Sequence, residues 1–161
     1  SEAFDTFVQL YPSSDLAPTF SSDAIKALQD GGFPSQVLPA KEKFAKSYGI
    51  NSKYWQSHEQ QRTEYLPLLK SHLLDVAKHY HANAQKTNQA AGFLVAASWY
   101  RELLLTDPKD PNAAPVNHLY AEALFSGQDF LGAVREFERT GYDYAGYEKA
   151  SEAGYFGFVS Y

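Results

Sequence analysis

The chain has 161 residues, 44% of them hydrophobic and 20% charged, with a formal net charge of −5 and a pI near 5.5. That composition suits one globular or solenoid unit with a hydrophobic core. The acidic balance and the lack of any basic run argue against a nucleic-acid partner, and none is expected, because phosphate binding needs clustered Lys and Arg. No stretch approaches the roughly 18 uninterrupted apolar residues of a membrane span. Without cysteine there is neither a disulfide nor a thiolate metal site. Methionine is absent too, so Ser1 is not a natural initiator and the sequence reads as a processed chain or a piece of a longer one.

In chain order, residues 2 to 11 form a first helix with Phe4, Phe7, Val8 and Tyr11 on one face, closed by Pro12-Ser13-Ser14. Leu16 to Phe20 reads as a short connector. Ser21-Ser22-Asp23 then caps a helix to Gln29, which Asp30-Gly31-Gly32 ends. Phe33-Pro34-Ser35 opens another helix through Ser47, carrying Val37, Leu38, Ala40 and Phe44. Pro39 is tolerable there only in the first turn, where its missing N–H has no partner to lose. Residues 49 to 60, including Tyr54-Trp55, read as an insertion rich in turn residues and large rings. A long helix follows from about Gln61 to Lys86, with Leu66, Leu69, Leu73, Val76, Tyr80 and Ala84 as its buried stripe.

From Ala91 to Phe137 the pattern is two helices in a hairpin. Leu119, Ala123 and Leu124, then Phe130, Ala133, Val134 and Phe137, recur at three- and four-residue steps, with Gly127-Gln128-Asp129 supplying the break and the N-cap. An aromatic, a small residue three on and an aromatic four further on also occur upstream as Phe93, Ala96 and Tyr100, with Pro108 where the helix should stop. Phe4 and Pro12 repeat the interval from Tyr100 to Pro108. After Phe137 the proline place holds Ala145, with the glycines Gly141 and Gly146 beside it as helix stops. The connector from Lys109 to Pro115 lengthens the repeat, so that Ala96 and Ala133 are 37 residues apart. Tyr147, Ala150, Gly154, Tyr155, Phe158 and Tyr161 then recur at helical spacing over 147–161.

These phrases resemble the tetratricopeptide repeat (TPR), whose period is about 34 residues. The resemblance is strongest over 77–145. It implies an all-α chain, a right-handed α-solenoid of antiparallel helical hairpins with about three repeats and both ends cut through a repeat. Residues 1–60 would hold degenerate helices and the insertion, and 61–161 the clearer repeats, in one continuous solenoid. The cut ends imply possible self-association. Leu119-Tyr120-Ala121-Glu122 and the run from Phe137 to Tyr144 also resemble TPR proteins of the Gram-negative bacterial envelope, which implies a soluble periplasmic or envelope-associated place.

In such arrays the first helices of successive repeats line a concave groove that takes a peptide or protein partner. Carried onto this sequence, the groove presents Lys78, His81, Gln85, Asn88 and Gln89, then His118, Glu122, Phe125 and Ser126, then Lys149, Glu152 and Phe156. The TPRs that grip acidic chaperone tails use clustered Lys, Arg and Asn, whereas the matching places here hold His81 and Gln85. The expected function is a protein-interaction scaffold, not an enzyme and without a cofactor. No carboxylate pair, Ser/His/Asp arrangement or glycine-rich phosphate loop stands out. Two rivals are a helical accessory domain of an enzyme and a metal- or small-ligand-binding domain. The metal candidates are His72, Asp75 and His79, which share one side of the long helix at i, i+3 and i+7. A solvated shoulder is the preferred reading of those three.

Overall fold

The computed structural model describes residues 2–144 and 146–159, and among them there are helices and no strand. Of the positions given places above, Ala145, Tyr161 and the Phe4 side chain lie outside the described residues. The chain divides into two compact units, Ser1–Val76 and Ala77–Tyr161.

In the first unit, α1 (Glu2–Leu10), α2 (Ala17–Asp30), α3 (Pro34–Tyr48) and α4 (Lys53–Ser57) precede a single 3-10 turn at Glu59–Gln61 and the start of α5 (Arg62–Thr87). Neighbouring helices pack from α1 through α4. The expected connector over 16–20 is instead helix from Ala17 onward. Pro18 stands in the first turn of α2, where a proline forfeits no helical hydrogen bond, and Ala17 and Pro18 are both buried. Pro39 is not in the first turn of α3 but inside the helix, as Pro67 is inside α5. Each removes a donor to a carbonyl four residues back, at Ser35 or Thr63. Both of those residues are exposed, so water can take the freed acceptor.

The insertion is also largely helical. Ser52 caps α4 by accepting the Trp55 N–H at 3.0 Å. Buried Tyr54 meets Tyr48 and Tyr65 edge-on, and its hydroxyl donates to the Ser14 carbonyl at 3.0 Å. On α5, Leu69 and Leu73 are fully buried, but so are most of Tyr65 and His72, which makes the inward face wider than the expected leucine stripe.

The second unit holds the end of α5, then α6 (Ala90–Thr106), α7 (Ala113–Ser126), α8 (Phe130–Tyr142) and α9 (Ala150–Val159), with α6 on α7, α7 on α8 and α8 on α9. Burial recurs at the 37-residue interval. Ala77 and Ala114, His81 and His118, Ala84 and Ala121, Ala96 and Ala133, and Tyr100 and Phe137 are all inside. The geometry recurs with it: the His81 and Tyr100 rings lie 5.8 Å apart at 78°, and the His118 and Phe137 rings lie 5.8 Å apart at 78°. The two helical pairs differ at the turn. Phe130 is the first residue of α8 and is exposed, whereas Phe93 lies a turn inside α6 and is buried.

Several local readings are corrected by the packing. α7 begins at Ala113, so Pro115 belongs to its first turn and not to the connector. At the α7–α8 turn the left-handed residue is Gln128 (φ 67), not Gly127 (φ −79). The lack of a side chain at 127 has another consequence: a Cβ there would lie 2.6 Å from Leu94 Cδ2 on α6, so Leu94 would have to move aside. Asp129 caps α8 by accepting the Gly132 N–H at 3.0 Å.

Gly141 does not stop α8, which runs on to Tyr142. A Cβ on Gly141 would sit 3.0 Å from the Gly154 backbone, so the bare Gly141 allows the close crossing of α8 and α9. The inward face of α9 is therefore the small-residue face, Ala150, Ala153 and Gly157, while Tyr155 and Phe158, at 65% and 80% exposure, point out.

Candidate binding cavity in the second unit

A cavity of about 370 Å³ opens in the second unit, lined by His81 and Gln85 of α5, Glu122, Phe125 and Ser126 of α7, Phe137 of α8, and Phe156 and Val159 of α9. Six of the residues expected to line a groove thus surround one space: His81, Gln85, Glu122, Phe125, Ser126 and Phe156. The helical period explains the grouping. Gln85 is one turn beyond His81, and Glu122, Phe125 and Ser126 occupy one side of α7 at three- and four-residue steps.

The other expected groove residues are elsewhere. Lys78, Gln89, Lys149 and Glu152 are exposed and do not line the cavity. Asn88 is not on a helix face at all: it takes φ 51 in the turn between α5 and α6, a left-handed conformation that asparagine tolerates better than most residues. His118 is 5% exposed and lies behind Glu122, packed edge-on against Phe137 and Tyr147. Phe137 and Val159 were not expected in the lining. The spacing marks Phe137 for packing, and it both packs and lines the cavity, with its ring 5.8 Å from that of Phe156.

The electrostatics of the cavity follow from two histidines. His118 Nε2 is 3.4 Å from Glu122 Oε1, while His118 Nδ1 is buried with no hydrogen-bond partner. Opposite a carboxylate, which only accepts, Nε2 is the nitrogen that presents an N–H. The contact with His118 holds the Glu122 carboxyl below its usual range; burial opposes the shift, and the Lys149 charge adds to it. His81 is pushed the other way from its ordinary value, downward, by burial. Its Nδ1 is 3.2 Å from the Tyr100 hydroxyl, which burial pushes up to about 12. At neutral pH the lining therefore carries one formal charge, the Glu122 carboxylate, amid three phenylalanine rings and the neutral polar ends of Gln85 and Ser126.

The residues considered for a metal are engaged separately. In the first unit, His72 Nε2 bonds Ser22 Oγ at 3.0 Å and Asp75 pairs with Lys41. In the second unit, His79 is exposed beside Tyr80. Among the described residues no group of three or more His, Cys, Asp or Glu side chains is placed to hold a metal ion, and no helix is long and apolar enough to cross a membrane. Comparison with protein-family models, curated proteins and solved structures finds no match to this chain.

Proposed function

We propose that residues 77–161 act as a TPR-like protein-interaction module, built from antiparallel helical hairpins of a right-handed solenoid, that holds a peptide segment of a partner protein against α5, α7 and α9. The observation that carries this reading is the recurrence, 37 residues apart, of one inward arrangement: His81 on Tyr100 and His118 on Phe137, with the same separation and tilt. The outward neighbours of those histidines, Gln85 and Glu122, are also 37 residues apart, and both line the cavity. A repeated helix pair that aims its first helices at one space is the arrangement by which helical arrays present a binding surface.

Exposed Phe125 and Phe156, at 44% and 41%, supply apolar contact at that space. Selection from a displayed random-peptide library against the whole chain, followed by titration of the enriched peptides, tests the proposal. Enriched sequences should bind, and the Phe125→Ala, Phe156→Ala double variant should weaken them by about tenfold or more with helicity unchanged. Failure to enrich any sequence, or binding indifferent to both substitutions, would overturn it.

A further inference from the structure

We propose that the cavity of the second unit is an anchor pocket for a basic side chain, arginine above all, of the bound peptide; this rests on the peptide-binding reading. A space of about 370 Å³ is near the lower end of ligand pockets. It fits one large side chain, with the rest of the peptide passing over the exposed rings of Phe125 and Phe156. What that side chain must be follows from the lining.

Glu122 is the single formal charge there and it is negative; no Lys or Arg lines the space, and buried His81 is held neutral. An acidic side chain would meet like charge. A purely apolar one would leave a half-buried carboxylate without a partner beyond His118, whose Nε2 faces a single oxygen. A guanidinium satisfies the remaining acceptor capacity with fixed planar donors. Its plane stacks on a phenylalanine face, and its methylene stem lies along the rings of Phe125 and Phe156. Gln85 and Ser126 add neutral acceptors at the same mouth. His118 acts as a positioning residue: its Nε2–H fixes the Glu122 carboxylate in direction and in charge. The acidic balance of the whole chain favours a basic partner over an acidic one.

Lys149 opposes the proposed ligand. It is exposed, does not line the cavity, and its charge reaches Glu122. The pocket thus has one group that should lose the preference when neutralised and one that should strengthen it.

The probes are terminally blocked positional-scanning octapeptide libraries in which one position is fixed as arginine, citrulline, norleucine or glutamate, titrated against the whole chain. Citrulline keeps the shape of arginine and removes its charge. At one register the arginine library should bind about tenfold tighter than the citrulline library. Glu122→Gln should abolish that difference with helicity unchanged, and Lys149→Ala should enlarge it. Equal binding of the arginine and citrulline libraries, or a preference that survives Glu122→Gln, would overturn the anchor while leaving the peptide groove standing. Binding of none of the four libraries would overturn the groove reading itself.

Discussion

Two buried histidines have different neighbours and enter the electrostatics in different ways. His118 spends its N–H on Glu122 and keeps a carboxylate ionised. His72, in the first unit, has no such partner. Its Nε2 meets a serine hydroxyl, its Nδ1 is buried and unpaired, and burial together with the Lys41 ammonium pushes it down to about 4, against the pull of Asp75. An unfolded histidine titrates near 6.5. Between that value and about 4 the unfolded chain binds the proton and the folded one does not, so stability present above about pH 6.5 drains away as the pH falls, by at most roughly 3 kcal/mol. Urea denaturation of a Trp99→Phe variant, followed by the fluorescence of the remaining Trp55, should show this loss from pH 7 to pH 4, and adding His72→Leu should flatten that part of the profile. A profile already flat over that range with His72 in place would contradict the assignment.

The same residues show where reading a sequence stops at this scale. The resemblance to TPR helices puts both His81 and His118 on the groove, and of the two His81 lines the cavity. Only their contacts with Tyr100 and Phe137, 19 residues away in each case, turn the rings inward. Their neighbours one turn on, Gln85 and Glu122, were legible as cavity residues because the helical step carried them to the open side.

Among the elements, the hairpins were legible where apolar side chains mark the inward face. Ala96 with Tyr100, and Ala133 with Phe137, are buried at 3% or less. What stayed hidden depends on small residues and on unusual ends. α2 starts behind Leu16, which makes no side-chain cap, and α9 turns Ala150, Ala153 and Gly157 inward while its large rings face out, the reverse of the usual apolar signal. Two substitutions test these packings. Ala133→Leu overfills the fully buried contact of α8 and should cost about 1–3 kcal/mol. Gly141→Ala places a methyl 3.0 Å from the Gly154 backbone, where no flexible side chain can yield, and should cost a similar roughly 1–3 kcal/mol while speeding amide exchange in α9. Unchanged melting temperatures for both would show that neither helix is held by the contacts described.

At the scale of the molecule, the described residues form helices and no strand, and the cavity lies within the second unit. The central proposal is that a peptide partner binds the faces of α5, α7 and α9 around Glu122. Hydrogen exchange of the whole chain, with and without a peptide enriched by library selection, tests that claim most directly. Slowed exchange confined to the backbone around His81 to Gln85, Glu122 to Ser126, and Ala153 to Val159 is the expected result. Protection falling instead on α1 to α4, with those three segments unchanged, would contradict it.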